Sequence, residues 1–234
     1  MSHDPVIIAL DFESAPDADR LVSSLDDAAQ FYKVGMELYA AAGMDYVRSL
    51  IDRGKRVFLD LKYYDIGETV RRAVSIAARS GAEFLTIHAV GQVMRFAIEG
   101  RGDSPMKLLA VTVLTSFDQH DVREMGYECG LPELVRQRVH LAMESGVDGL
   151  VASPLEARAI RSQAGPHAIL VTPGVRSRGA GIGDQKRVAT PREAVRAGAD
   201  YVVIGRQVTR ASDPRAGLAA IHEELAAADL ATAR

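Results

Sequence analysis

The stretch Phe58–Thr69, FLDLKYYDIGET, sets Asp60, Lys62 and Asp65 into a run otherwise suited to burial. In an extended strand alternate residues share a face, so Asp60 and Lys62 point one way while Leu59 and Leu61 point the other. Charges on an inner face are costly unless they are paired or used. A structural ion pair is one reading. Buried pairs are weak stabilisers, which favours a working role.

Other polar residues fall into place once the elements that carry them are drawn. Apolar runs rich in Val, Ile and Leu occur at Val6–Asp11, Phe31–Met36, Arg56–Lys62, Phe84–Ala89, Lys107–Leu114, Gly149–Ser153, Ala168–Gly174 and Tyr201–Arg206. Their weak alternation is that of strands covered on both sides. Helical patterns lie between them. Met36–Arg53 stops at Gly54, Thr69–Ser80 at Gly81 and Leu131–Ser145 at Gly146. Ser153-Pro154 and Thr190-Pro191, each with a Glu three residues after the cap, read as helix starts. The strand count and the absence of a Gly-rich turn after the first strand predict one α/β domain over residues 1–234, a single (β/α)8 TIM barrel rather than a doubly wound sheet.

In such a barrel function gathers where strands end. Asp11 ends the first strand and Lys33 lies late in the second. Asp60 and Lys62 end the third and His88 the fourth. Thr115 and Ser116 follow the fifth, Pro173–Arg176 ends the seventh, and Gly205–Arg206 ends the eighth. Singly, Asp11 is open to a capping role, Lys33 to reaching out to water, and Thr115 is a plain strand-end residue. His88 reads as a hydrogen-bonded structural histidine. Together they make a rim. After the seventh strand, GVRSRGAGIGDQKR (Gly174–Arg187) fits the phosphate corner that barrels build from the loops after strands seven and eight. Gly179, Gly181 and Gly183 give that loop freedom, and Arg176, Gln185, Arg187 and Arg206 supply donors. The order of a P-loop is absent.

Composition narrows the classes. With 28 Lys and Arg against 31 Asp and Glu, the net charge of −3 argues against a general binder of nucleic acid or membrane surfaces. The N-terminal apolar run is five residues long, too short for a signal peptide or a span, so the cytoplasm is the expected compartment. Cys129 is the single cysteine, which excludes an intrachain disulfide and a cysteine zinc site. DQHD (Asp118–Asp121) matches no metal signature and reads as a solvated loop, and RGDS (Arg101–Ser104) as coincidence. Neither metal nor cofactor is expected.

These residues taken in order resemble the orotidine 5′-monophosphate decarboxylase family of the compact bacterial type, over essentially the whole chain. VIIALD, KVGMELY, the D-x-K-x-x-D-I pattern in DLKYYDI, VTVLTS, VTPGVR, GDQKRVATP and VIGR match in order and spacing. One departure is HAVGQVM, where Gln92 stands in place of a second glycine. The resemblance implies that Lys62 donates the proton, Asp60 sits against the departing carboxylate, and Lys33 bridges Asp60 and the ribose, which Asp11 also meets. Thr115 would contact the pyrimidine, Gln185 span base and phosphate, and Arg206 with the Gly205 amide hold the phosphate, in one loop system with Arg176. Asp65, Ile66 and Thr69 would reach the neighbouring site of a homodimer.

The implied chemistry gives the buried charges a use. Loss of carbon dioxide from C6 of orotate leaves a carbanion with little resonance relief and no cofactor to hold the electrons. Asp60 beside the substrate carboxylate adds repulsion; two charges about 4 Å apart interact by roughly 4 kcal/mol at an effective dielectric of 20. Enzymes lower barriers by about 8–23 kcal/mol, so a preorganised charge array must supply most of the rest. Two alternatives stand beside this reading. One is a metal-dependent sugar-phosphate lyase or decarboxylase, with Glu37 as a candidate ligand. The other is a catalytically silent barrel that binds a phosphorylated ligand.

Overall fold

Runs such as VIIAL and FYKVG need apolar cover on both faces, and a parallel sheet wrapped by helices provides it. The structure, a computed structural model, describes residues 4–177 and 189–232. The strands are β1 (Val6–Leu10), β2 (Phe31–Gly35), β3 (Arg56–Tyr63), β4 (Phe84–His88), β5 (Lys107–Val111), β6 (Gly149–Val151), β7 (Ile169–Thr172) and β8 (Tyr201–Ile204). They are parallel and close in sequential order, with β8 pairing back to β1. The helices α1 (Ala15–Leu25), α2 (Met36–Asp52), α3 (Gly67–Ala78) and α4 (Gly91–Arg101) follow the first four strands. Then come α5 (Gln119–Glu124), α6 (Leu131–Ser145), α7 (Ala157–Ala164), α8 (Pro191–Arg196), α9 (Arg206–Thr209) and α10 (Pro214–Thr232). This is the expected (β/α)8 TIM barrel.

Local signals decide most element ends, which fall within about two residues of the sequence expectation, and three places depart from it for identifiable reasons. The fifth strand stops at Val111 instead of Leu114 because β6 is three residues long and its register ends at Val111 opposite Val151. Ser153 caps a 3-10 turn, Pro154–Glu156, before the helix proper begins at Ala157. DQHD is a capping box: Asp118 accepts from the Asp121 amide, and the Asp121 side chain accepts from the Asp118 amide at 2.7 Å. Its acids are occupied in starting α5. The Thr190–Glu193 box forms as its sequence predicts and starts α8.

Alternation along each strand divides the core in two. One face packs on the helices, with Ile8, Leu10, Val34, Leu59 and Leu85 fully covered. The other fills the barrel, where Ile7, Phe31, Phe58, Phe84, Leu109 and Tyr201 meet. The Phe31, Phe84 and Tyr201 rings stand edge to face with centroids 5.1–5.7 Å apart. Arg56 lies 4.1 Å over Phe31 and is held by both Glu83 oxygens at 2.6 Å. Rings and ion pair form a floor at the N-terminal end. One strand-turn higher, the inward positions become Ala9, Lys33, Asp60 and Thr86, and the barrel opens.

A peripheral ion pair joins the chain ends. His222 on α10 lies 3.2 Å from both carboxylate oxygens of Asp4, whose Oδ1 also accepts from the Val6 amide at 3.0 Å. The hydrogen bond to Asp4 raises the His222 pKa above 6.5, against a smaller opposing effect of burial. A raised folded pKa contributes stability that is complete below the unfolded value and lost as pH rises through the folded one. His222→Ala is therefore expected to lower the unfolding temperature near pH 5–6 and to match the parent at pH 9. The pair is partly exposed, so the loss should stay under about 1 kcal/mol. Thermal unfolding across pH reads it; an equal loss at both ends of the range contradicts it.

Candidate active site

Above the floor, four charged side chains from three adjacent strands form an alternating chain. Lys33 Nζ on β2 lies 3.0 Å from Asp11 Oδ1, just past β1, and 3.5 Å from Asp60 Oδ2 on β3. Asp60 Oδ1 accepts from Lys62 Nζ at 2.8 Å. Lys33 and Asp60 are nearly buried, with side-chain exposures of 10% and 13%, whereas Asp11 is 57% exposed. Gly35 leaves room for this approach: a Cβ there would stand 3.0 Å from Lys33 Nζ and push it by a few tenths of an ångström.

Burial and charge oppose each other here. Burial is the largest single influence on Asp60 and favours its neutral form. Lys33, then Lys62, outweigh it, with hydrogen bonds from Lys62 and Thr86 assisting, and the pKa falls below 3.8. Burial likewise disfavours the Lys33 ammonium, yet Asp60 and then Asp11 raise its pKa above 10.5. Lys33 and Asp60 thus hold each other in the charged form.

Lys62 reaches this position through an unusual backbone. Leu59 pairs with Leu85 and Tyr63 with Ile87, so Asp60, Leu61 and Lys62 bulge opposite Thr86 alone. Lys62 has φ +49°, a left-handed conformation that costs a non-glycine residue on the order of 1–3 kcal/mol. In a regular strand residues two apart are separated by about 6.6 Å. The bulge folds the Lys62 side chain back onto Asp60. Asp60 and Lys62 do share the inner side, as simple alternation predicts, while Leu59 and Leu61 pack outward.

Asp11, Lys33, Asp60, Lys62, Thr115, Arg176, Gly205 and Arg206 line one cavity of about 310 Å3, with Ser116, Pro173 and Gln207. That volume is at the lower end for a small-molecule site. Gly205 and Arg206, which begin the short α9, line this cavity together with Arg176 on the segment after β7. An anionic group would find donors there, in the same cavity as Lys62. Gln185 and Arg187, together with Gly179, Gly181 and Gly183, lie outside the described residues.

Asp65, Ile66 and Thr69 do not line the cavity of their own chain. All three are exposed at the start of α3, Ile66 by 72% beside Tyr64 at 67%. Glu37 is exposed on the first turn of α2 and is not among the cavity residues. The structure corrects the reading of His88: among the described residues its ring makes no hydrogen bond, while its carbonyl accepts from the Val90 amide at 2.8 Å. Its ring stands edge-on to Tyr64 at 5.5 Å, and burial, with Arg138 and Lys62 adding, lowers its pKa below 6.5.

Two residues escaped sequence reading. Gln207 lines the cavity and ties α9 to the segment after β7, donating to Ser177 Oγ at 2.8 Å and accepting from the Ser177 amide at 3.0 Å. Thr86 is fully buried on β4, and its hydroxyl lies 3.1 Å from Asp60 Oδ1. It sits in phase with Phe84 and His88, so the alternation that exposed Asp60 would have found it.

Comparison with known proteins places the chain. Residues 4–221 match the profile of the orotidine 5′-phosphate decarboxylase / HUMPS family. The chain is 50% identical over 226 residues to an orotidine 5′-phosphate decarboxylase of Nitrobacter winogradskyi, covering 97% of this chain and 94% of the relative. It is also 50% identical over 225 residues to the Rhodopseudomonas palustris enzyme of that name, covering 96% and 95%. The crystal structure of orotidine 5′-phosphate decarboxylase from Lactobacillus acidophilus superposes with a TM-score of 0.84 at 37% identity, over 95% of this chain and 99% of that one. On this extent of match, the chain belongs to the orotidine 5′-phosphate decarboxylase / HUMPS family.

Proposed function

We propose that this chain decarboxylates orotidine 5′-monophosphate to uridine 5′-monophosphate and carbon dioxide without metal or cofactor, in pyrimidine biosynthesis and in the cytoplasm. The observation that carries the reading is the buried Asp60 gripped between the Lys33 and Lys62 ammoniums at the mouth of the barrel. The named relatives, alike over almost their full lengths, support it.

In this mechanism the nucleotide phosphate sits at Arg206, the Gly205 amide and Arg176, with Gln185 reaching it and the base. Asp11 and Lys33 take the ribose and Thr115 the pyrimidine. That puts the C6 carboxylate against Asp60. The C6–carboxylate bond breaks, its electron pair stays on C6, and carbon dioxide leaves. Lys62 stabilises the developing charge electrostatically and then transfers a proton from Nζ to C6. Binding energy at the phosphate is spent on closing and ordering the site. Asp65, Ile66 and Thr69 complete the site of a second subunit in a homodimer, and their exposure beside Tyr64 is what leaves them available to it.

Mixing the purified protein with orotidine 5′-monophosphate in excess chelator, and following the fall in orotate absorbance, tests the function. Sustained turnover supports it; metal-dependent turnover or none overturns it and favours the lyase or the silent barrel. Orotidine, which lacks the phosphate, is expected to lose turnover number as well as affinity. An unchanged turnover number with weaker binding alone contradicts the role given to the phosphate. Sedimentation together with complementation between Lys62 and Asp65 variants tests the shared dimer.

A further inference from the structure

We infer that Thr86 is a positioning residue for the reaction, holding Lys62 and Asp60 in register through one hydroxyl. The inference rests on the decarboxylase reading and extends it to a strand that contributes no contact to the cavity.

The reasoning starts from the ladder. A bulge leaves three residues of β3 facing one residue of β4, so backbone groups that regular pairing would satisfy need another partner. The Lys62 amide finds it in a side chain: it donates to Thr86 Oγ1 at 2.9 Å. A hydroxyl can accept and also donate its single proton. The acceptors within reach are Asp60 Oδ1 at 3.1 Å and the Leu59 carbonyl at 3.5 Å, and the carboxylate is the nearer. The same Oδ1 receives Lys62 Nζ at 2.8 Å.

Both ends of Lys62 are thereby fixed by one small group. Its amide is anchored directly, and its ammonium is anchored through the carboxylate that Thr86 orients. Thr86 is fully buried, so water cannot take over either bond without a cavity opening for it. The groups facing Asp60 are Lys33 from β2, Lys62 from its own strand and Thr86 from β4, with Asp11 beyond Lys33 and His88 further along β4 near Lys62. Of the three groups that contact Asp60 directly, Thr86 is the uncharged one, and its hydrogen bond favours the ionised carboxylate.

Thr86→Val keeps shape and burial and removes the hydroxyl; Thr86→Ser keeps the hydroxyl and removes a methyl. Thr86→Val is expected to lower the turnover number by on the order of 10- to 100-fold, as misplacement of a reacting group does. KM should change by less than about twofold, because phosphate and ribose contacts that set uniform binding are untouched. The acid limb of the pH profile should move to higher pH. Thr86→Ser should restore both the turnover number and that limb. Carboxyl 13C titration of Asp60 in the free protein reads the same hydrogen bond without turnover, and the Asp60 pKa should rise in Thr86→Val.

A Thr86→Val protein with the parent's turnover and acid limb overturns the inference, as does a loss that Thr86→Ser fails to rescue. If Thr86→Val does not fold, Thr86→Ala is read the same way. Failure of both to fold makes Thr86 a residue of the fold and also overturns it. Absence of turnover in the parent protein is a different result, which sinks the decarboxylase reading; the 13C titration then still decides whether Thr86 holds Asp60.

Discussion

Lys62→Ala should reduce decarboxylation by on the order of 10⁴-fold or more, while uridine 5′-monophosphate binds within about tenfold of the parent. Two roles are lost together. Proton transfer by a positioned acid contributes about 10²–10⁴-fold, and a preorganised charge at a developing anion contributes about 10²–10³-fold. The Gly205–Arg206 end of the cavity, to which the proposal assigns the phosphate, is left intact. The fold should tolerate the change, because Asp60 keeps Lys33 at 3.5 Å and Thr86 at 3.1 Å. Lys62→Arg separates the two roles: it keeps a cation but replaces the ammonium by a guanidinium, which gives up a proton far less readily. Its turnover should remain far below the parent's. Steady-state absorbance assays with calorimetric binding read all three proteins. Lys62→Ala retaining more than about a hundredth of the turnover, or an active Lys62→Arg, would remove proton donation from the mechanism.

How much of this was legible in the sequence differs between backbone and site. The barrel could be read because its determinants are local and repeated: covered apolar runs, Pro-led caps such as Thr190-Pro191, and glycine stops such as Gly146. The rim could be read because polar residues at the ends of buried strands have few other uses. Cross-strand geometry was not legible. Nothing in DLKYYDI announces a left-handed Lys62, since the bulge follows from how β3 meets β4. DQHD, read as a solvated loop, is instead a helix start. Its acids satisfy the backbone of their own helix, and a polar loop and a capping box use the same residue types. His88 lacked its expected partner because the neighbour it packs against is the Tyr64 ring.

The second large effect falls on stability. Lys33→Met is expected to destabilise the protein at pH 7 by about 3–5 kcal/mol, the cost of leaving a buried charge without its partner. That corresponds to a fall of about 10 °C in unfolding temperature for a chain of this size. Asp60 bears most of it, since Lys33 is the strongest influence favouring its ionised form. Asp11 loses the same cation but is 57% exposed, so water replaces much of that contact. The pH dependence follows from the directions of the shifts. Asp60 has a depressed folded pKa, so its contribution is present above about 3.8 and lost as pH falls through the folded value. Lys33 has a raised one, so its contribution is present below 10.5 and lost as pH rises through the folded value. The gap between parent and variant should therefore be widest in the neutral range and close towards strong acid. Turnover should fall with stability, because an Asp60 that takes up a proton neither repels the substrate carboxylate nor grips Lys62. A Lys33→Met/Asp60→Asn double variant removes both members of the pair and should regain most of the lost stability without regaining turnover. Strictly additive losses in that double variant, or a Lys33→Met protein as stable as the parent at pH 7, would mean that the two side chains stand close without depending on each other.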